Sequence, residues 1–274
     1  MNKNLSRDFI IGIILAGIIL LFTITGIFFL PYGYNEMNSG NRFSPPGFPH
    51  LLGTDNFGRD VFSRIMSGGI HTLTTAMFTV IGSAFLGTVI GMTAGFFGSL
   101  ADEAIMRLMD AISSFPGILL ALVTVSILNP DALVLALIIL FIPGFTRIMR
   151  SGTVQIRNSD FILSARITGT RGPRLLFLHI LPNLFPQLLS ASIVALSNAI
   201  LAESTMSYLG LGIQPPAPSW GRMLSESQGF LFNAPWCAIA PGIMIMLSVL
   251  AFHFIGEGLR ELSFPVSEIK GKPQ

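Results

Sequence analysis

Charged side chains are scarce in this sequence. Only 11% of its 274 residues are Asp, Glu, Lys or Arg, whereas 51% are hydrophobic. A soluble globular protein carries roughly 25% charged residues, because its surface faces water. The composition therefore excludes an ordinary soluble fold. The net charge of +2 also offers no strongly basic surface of the kind that binds nucleic acid.

Cysteine and lysine are nearly absent as well. The single cysteine, Cys237, excludes an intrachain disulfide and is interpreted as a small buried hydrophobic residue. The three lysines are Lys3, Lys270 and Lys272, and none of them ends a Gly-Lys-Ser/Thr loop that holds the phosphates of ATP. We therefore expect a non-catalytic chain with no cofactor of its own.

The four histidines are dispersed and show no metal-ligand spacing. They are His50, His71, His179 and His253. The sequence predicts no metal site. A permeant-metal site built from His253, Met244 and Met246 is the alternative, and hydrogen bonding between helices is the favoured interpretation of His253.

Long uncharged runs dominate the rest of the chain. A helix needs about 20 apolar residues to cross a bilayer, and it must satisfy its own backbone hydrogen bonds there. The runs are 9–30, 73–97, 111–128, 132–146, 180–202 and 235–256. They predict an all-α membrane protein with six transmembrane helices. The first run is longer than the apolar core of a signal peptide and lacks a cleavage site, so we expect it to be retained.

The basic residues fall mostly on one side of these predicted spans. With the amino terminus in the cytoplasm, twelve of the 16 Lys and Arg residues lie in inner segments. The remaining four lie in the outer segments 31–72 and 205–234 and are Arg42, Arg59, Arg64 and Arg222. Cytoplasmic loops carry the excess of basic residues in membrane proteins. We therefore expect both termini in the cytoplasm.

The inner loop that begins at Arg147 contains a predicted short helix. Residues 158–160 have the composition of a helix N-cap, residues 161–168 follow as the helix, and Gly169 supplies its left-handed end. Its apolar residues Phe161, Ile162 and Ala165 would be exposed to water. Such a ridge either docks into a groove of another protein or lies on the membrane surface, and the residues alone leave both open.

This loop resembles the coupling loop of ATP-binding-cassette importer permeases. The family motif is Glu-Ala-Ala, a later glycine, and then His-x-Leu-Pro-Asn, which appears here as residues 163–165, Gly169 and residues 179–183. Leu163 and Ser164 replace the glutamate and the first alanine, so the resemblance implies the loop's shape but no glutamate-mediated contact. The implied coupling residues are Phe161, Leu163, Ser164, Ala165, Arg166, Gly169, Arg171, His179 and Pro182.

Further stretches in the same order resemble the C-type permeases of dipeptide, oligopeptide and nickel importers. They are residues 52–64, 106–110 with 115–116, 201–204 with 207–221, 234–236 and 256–260. The resemblance implies a type I importer permease fold in the bacterial cytoplasmic membrane. It divides the chain into an N-terminal helix with an extracytoplasmic segment (1–72), a membrane core with the coupling loop at 147–180 (73–265), and a short cytoplasmic tail (266–274).

The same resemblance implies partners and a cargo. The partners are a related B-type permease, two cytoplasmic ATPase subunits that bind ATP and Mg, and an extracytoplasmic solute-binding protein, all around a chain embedded in lipid. Peptides are the expected cargo, with nickel or a metal chelate as the alternative. A self-sufficient channel or ion-coupled transporter is the alternative of a different class, but it calls for charged residues deep in several helices.

Small residues in the second run predict close helix packing. Gly87, Gly91 and Gly95 recur every four residues and so share one helix face. We interpret this face as packing within the chain, and the alternatives are a face that lines the path or one that meets the partner permease.

Polar residues near the membrane give two further hypotheses. Glu203 and Asn198 are candidates for the substrate path, and the alternative for Glu203 is the headgroup region or a pair with Arg222. Arg107 and Asp110 lie three residues apart, so a local pair is the favoured interpretation, with an inner gate as the alternative.

Overall fold

The computed structural model describes residues 7–128, 132–170 and 172–263. Within these residues the chain is helical, apart from irregular segments and one isolated bridge between Thr54 and Asp60. The helices are α1 (Arg7–Phe28), α2 (Val61–Phe97), α3 (Ser99–Ser113), α4 (Gly117–Leu128), α5 (Leu133–Ile156), α6 (Asp160–Ile167), α7 (Pro173–Leu175), α8 (Leu181–Tyr208), α9 (Trp220–Ser227) and α10 (Trp236–Ser263). A π-helical turn, Leu176–Ile180, joins α7 to α8. The predicted tail 266–274 lies outside the described residues.

Five helical segments are long and apolar enough to cross a membrane. They are α1, α2, α5, the continuous segment Pro173–Tyr208 and α10. The pair α3 and α4 passes the same test only together, and the two helices are bent by 88° at their junction. The prediction of an all-α membrane protein is therefore confirmed. Five segments are able to span a membrane, or six if the bent pair counts as one span.

The run 111–128 was predicted as one helix, which is wrong, because two helices divide it. The structure ends α3 at Ser113 and begins α4 at Gly117. Pro116 lies in the break between them. Proline has no N–H for a helical hydrogen bond, and it disfavours helical geometry at the residue before it. The apolar run continues through the break, which is why hydropathy alone did not reveal it.

Helix α2 begins twelve residues before the apolar run that predicted it. The Asp60 side chain caps the helix by accepting a hydrogen bond from the backbone N–H of Ser63, at 2.8 Å. Arg64 in the first turn interrupts the hydropathy pattern, but the structure places this arginine among carboxylates. Glu226 Oε2 accepts a hydrogen bond from Arg64 Nη2 at 2.9 Å.

Helices α2 and α5 share the most extensive helix contact among the described residues. A Cβ atom on Gly87, Gly91 or Gly95 would lie under 3.0 Å from Phe145, Thr146 or Arg150 of α5, respectively. The three glycines therefore lie in the contact between two helices of this chain. Hydrocarbon gives no hydrophobic drive for helix association, so small residues of this kind allow close approach and van der Waals contact.

The bundle has two chemically distinct ends. At one end, the segment 29–60 packs on α9 and on the start of α10, where Trp236 Nε1 donates a hydrogen bond to the Thr54 carbonyl at 3.2 Å. At the other end, α6 lies beside the last turns of α2 and α5, and the start of α1 contacts the end of α10 through Phe9 and Gly258. We call these the loop end and the α6 end.

Candidate functional site

Helix α6 is held against the bundle by one buried side chain. Ile162 is fully buried and packs in a cluster with Met92, Met149, Leu175, Leu176, Ile180 and Leu184. Ser159 takes extended N-cap geometry, and Gly169 ends the segment with φ of +94°. The predicted helix and its glycine end agree with this geometry.

The apolar ridge on α6 differs from the predicted one. Ile162, which the sequence placed on the ridge, points inward, and Ala165 is half-buried. The exposed apolar side chains are Phe161, Leu163 and Ile167, and Ile167 is 86% exposed. A helix packed on the bundle turns only one side inward, so α6 buries Ile162 and leaves these three apolar side chains exposed in part or almost fully.

Two arginines brace the α6 loop against the end of α2. The guanidinium of Arg166 lies 5.3 Å from the centre of the Phe96 ring, which is cation–π distance. Arg157 Nη1 donates a hydrogen bond to the Gly95 carbonyl at 2.9 Å. Ser164, another predicted coupling residue, is exposed. Arg171, the remaining predicted residue before the next helix, lies outside the described residues.

The return from α6 into the membrane passes through the π-helical turn. Its last bond joins the Leu181 N–H to the Leu176 carbonyl, five residues earlier. Pro182 follows at once and has no N–H to donate. Asn183 adds a side-chain hydrogen bond at the same turn, since its Nδ2 donates to the His179 carbonyl at 2.7 Å. The predicted pair His179 and Pro182 therefore lies at a wide helical turn, and such turns often occur at functional sites.

A groove of about 510 Å³ opens on the side of the bundle between α5, α8 and α10. Such a volume lies within the usual range for small-molecule pockets, about 300–1,000 Å³. Its lining residues are Phe141, Gly144, Phe145, Ile148, Gln187, Ser190, Ala191, Val194, Ala195, Asn198, Glu257 and Arg260. From Gln187 to Asn198, a separation of eleven residues along α8, it extends about 16.5 Å at 1.5 Å per residue. Asn198, a predicted path residue, lies on this groove.

Glu203 does not lie on the groove. Its side chain is fully buried, and its carboxylate accepts hydrogen bonds from Ser207 Oγ at 2.6 Å and Ser204 Oγ at 3.4 Å. The predicted pair of Glu203 with Arg222 is not formed, since Arg222 lies 3.3 Å from Glu226 instead, and the headgroup position of Glu203 stays a prediction. The serines one and four residues after Glu203 are a sequence signal that a carboxylate finds its partners within its own helix.

Comparison with known proteins decides the family. Residues 87–261, well over half of the chain, match the model of the family described as binding-protein-dependent transport system inner membrane component. The chain belongs to this family. It is a multi-pass protein of the bacterial inner membrane, as the motif resemblance and the apolar helices predicted.

Named relatives of this transport component cover nearly all of the chain. It is 39% identical over 258 residues to the dipeptide transport system permease protein DppC of Alkalihalophilus pseudofirmus, covering 93% of the chain and 85% of that relative. It is 38% identical over 236 residues to the glutathione transport system permease protein GsiD of Pectobacterium atrosepticum, covering 85% and 77%. It is 36% identical over 243 residues to the di/tripeptide transport system permease protein DppC of Pseudomonas aeruginosa, covering 86% and 80%.

The α6 end of this transport component carries ion pairs that the sequence did not predict. Arg107 does not pair with Asp110, because Arg107 lies 3.7 Å from Glu103 and Asp110 lies 2.9 Å from Arg147 of α5. Asp102, two turns before Asp110 on α3, pairs with Arg150 of α5. Two acids on α3 thus meet two arginines on α5, across a separation of 37 and 48 residues in the chain. Local spacing could not reveal either pair.

The loop end of the transport component carries a buried charge network. Asp55 Oδ2 accepts a hydrogen bond from Arg59 Nε at 2.6 Å, and Glu226 Oε2 accepts from Arg59 Nη2 at 3.1 Å. Arg64 reaches the same Glu226 oxygen. The network joins segment 29–60 to α9. Arg64 in the first turn of the otherwise apolar helix α2 was a sequence signal of a nearby carboxylate, because a buried charge needs a partner.

Proposed function

We propose that this chain is one of two membrane subunits of an ATP-driven peptide importer, and that it forms half of the path through the membrane. The observation that carries the proposal is the position of α6. This short helix leaves apolar side chains exposed at the α6 end, and its loop joins α5 directly to α8, two of the three helices that line the groove. A force on α6 therefore reaches the groove through continuous helices.

The coupling mechanism follows from these attachments. Separate cytoplasmic ATPase subunits bind ATP and Mg, and their closure moves α6. Ile162 and Arg166 tie α6 to the cluster around Met149 and to Phe96, so the helix and the ends of α2 and α5 move together. The chain itself is a non-catalytic subunit in this scheme. The groove alternates between the two sides of the membrane as the ATPases close and open.

The orientation in the membrane is part of the proposal. Segment 29–60 and α9 lie at the loop end, where they would receive the extracytoplasmic solute-binding protein. Helix α6, the start of α1 and the end of α10 lie together at the opposite end. The proposal assigns this end to the cytoplasm. The excess of basic residues in the inner segments supports this orientation. A B-type permease of the same family would close the open side of the groove.

Two observations support peptides as the cargo. The relatives carry the printed names of dipeptide, di/tripeptide and glutathione permeases. The groove combines apolar walls with the amides of Gln187 and Asn198 and the hydroxyl of Ser190, which suit the backbone and side chains of a short peptide. Nickel has no comparable support, because His253 and Met246 are exposed and are not among the lining residues.

Reconstitution of the transporter tests the proposal. The permease pair in lipid vesicles should take up labelled dipeptide only when the ATPase subunits, ATP and Mg are present on the α6 side and the binding protein on the other. Vesicles with the ATPases but without ATP are the matched control. Uptake by the permease pair alone would instead show a self-sufficient channel or ion-coupled transporter and would refute the ATP-driven mechanism.

A further inference from the structure

The groove has charged side chains at one end only. Among its lining residues in the part of the chain that the structure describes, Glu257 and Arg260 are the charged ones. They lie one turn apart near the end of α10, and Arg260 Nη1 is 3.8 Å from Glu257 Oε1. The remaining walls are apolar, apart from the neutral polar groups of Gln187, Ser190 and Asn198. The groove is thus neutral along its length and carries both signs of charge at its α6 end.

Close helix packing places these two side chains on the groove. Gly256 precedes Glu257, and a Cβ atom there would lie 2.5 Å from Val194 of α8. Gly258 follows, and a Cβ atom there would lie 2.5 Å from Phe9 of α1. The two glycines hold α10 against both neighbours, so the helix has little freedom to turn Glu257 and Arg260 away from the groove.

Mutual pairing does not explain the two charges. The side chains are 47% and 71% exposed, and exposed ion pairs contribute little to folding stability. Glu257 and Arg260 are therefore not needed to hold the bundle together. Each retains hydrogen-bonding groups for a ligand, since a carboxylate accepts at two oxygens and a guanidinium donates from five N–H bonds.

The α6 end of the groove carries an oppositely charged partner for each terminus of a short peptide. Its amino terminus is a cation and its carboxyl terminus an anion, and both lose hydration when they enter an apolar passage. An extended chain spans at most about 3.6 Å per residue, so the termini of a dipeptide are about 7 Å apart. Residues three apart on a helix rise by about 4.5 Å, and their long side chains extend that reach.

We propose that Glu257 binds the amino terminus and Arg260 the carboxyl terminus of a peptide as it passes through the groove. This assignment rests on the proposed function and adds the residues that read the peptide's ends. In this structure the two side chains form a single ionic contact, 3.8 Å between Arg260 Nη1 and Glu257 Oε1. An arriving peptide replaces that single contact with two charge-assisted contacts, and the bidentate pairing of guanidinium with carboxylate is the stronger of the two.

Uptake by the complete transporter tests the assignment. The complex of both permeases, ATPases and binding protein is placed in vesicles, and labelled dipeptide uptake is measured per ATP hydrolysed. Glu257→Gln and Arg260→Gln should each reduce this ratio by roughly tenfold or more, as expected for one lost charge-assisted hydrogen bond. Subunit assembly should not change. Glu261→Gln is the matched control, since Glu261 is exposed on the same helix and does not line the groove.

A charge exchange separates peptide binding from a merely structural pair. The double variant Glu257→Arg with Arg260→Glu keeps two opposite charges one turn apart but reverses their order. Uptake should remain low if the residues bind the peptide's ends in a fixed direction. Recovery to the wild-type ratio would show that only their mutual contact matters, and it would overturn the assignment.

The cargo itself provides a second readout. A dipeptide amide lacks the carboxylate, so its uptake, normalised to its measured binding by the solute-binding protein, should be insensitive to Arg260→Gln. Equal loss for the amide and the free dipeptide would overturn the role of Arg260. Failure of the wild-type complex to transport any peptide would refute the proposed function and this assignment together, whereas wild-type transport with unaffected variants refutes the assignment alone.

Discussion

Gly91 shows how a single hydrogen atom sets the distance between two helices. A Cβ atom at this position would collide with the Thr146 carbonyl and crowd the Arg150 N–H and Met149 Cβ of α5. The obstacles are largely backbone atoms, which a rotamer change cannot move. At Gly91 the backbones of α2 and α5 are in direct contact, so a larger residue there must push the two helices apart.

We expect Gly91→Ala to destabilise the folded protein by about 1–3 kcal/mol, the usual cost of overpacking. Gly17→Ala is the matched control, because nothing lies within 4 Å of the added methyl group on α1. Thermal unfolding of both variants in the same detergent measures the difference. An unchanged midpoint for Gly91→Ala would show that α5 relaxes at no cost.

Gly169 is constrained by conformation and not by space. Its φ is +94°, and nothing lies within 4 Å of a Cβ atom built there. The size of a new side chain should therefore matter less than its tolerance for a left-handed backbone. A β-branched residue in that region is a conformational outlier, whereas asparagine adopts it readily.

We expect Gly169→Val to abolish peptide-stimulated ATP hydrolysis by the assembled transporter while the chain still inserts in the membrane. Gly169→Asn should retain most of it, because it preserves the end of α6. The measurement is the ATPase rate with and without loaded binding protein, with membrane content checked by blotting. Normal stimulation in Gly169→Val would contradict the role of α6 as a lever.

At the scale of elements, α6 has two apolar sides, of which one packs against the bundle and the other is exposed. Ile162 is buried against the bundle, while Ile167 is 86% exposed. The sequence predicted the helix, its N-cap and its end correctly, since these depend on local residue types. It misplaced Ile162, because the cluster that an eight-residue helix packs against decides which of its sides faces inward. Those residues come from α2, α5, α7, the π-helical turn and α8.

Substitution of Ile162 should lower the stability of the subunit, whereas substitution of Ile167 should weaken its binding to the ATPase. Ile162→Ala should cost about 2–5 kcal/mol, as buried large-to-small substitutions do, and lower the thermal midpoint of the isolated subunit. Ile167→Ala should leave that midpoint unchanged and weaken co-purification of the ATPase, by roughly tenfold in affinity for a lost contact of ~1.4 kcal/mol. Equal ATPase binding in Ile167→Ala and wild type would exclude this side chain from the interface.

Helix ends were harder to predict than helix existence. The apolar runs fell on each of the five helical segments that are long and apolar enough to cross a membrane, because such a helix needs about 20 predominantly apolar residues. They missed the start of α2, where Arg64 is neutralised by Glu226 at a separation of 162 residues. They also missed the break at Pro116, because hydropathy does not register a lost backbone N–H. The burial of Glu203 away from the groove was also not foreseen, although its hydrogen-bond partners Ser204 and Ser207 lie close by in the sequence.

At the scale of the whole molecule, the two ends of the bundle should lie on opposite sides of the membrane. The thiol of Cys237 is buried, so added cysteines will react against a low background. We expect Phe48→Cys, at a position 98% exposed in segment 29–60, to react with an impermeant maleimide in intact spheroplasts. We expect Ile167→Cys on α6 to react only after the membrane is opened. The reverse labelling pattern would refute the proposed orientation.

Both tryptophans of the chain stand at the loop end. Trp220 is fully buried, with its indole N–H bonded to the Ile65 carbonyl at 3.0 Å, and Trp236 is half-buried against Gly53 and Thr54. Tryptophan fluorescence of the isolated subunit therefore originates entirely from the loop end. In a complex whose other subunits have their tryptophans replaced, a spectral shift during the transport cycle would report a rearrangement at this end, without any attached dye.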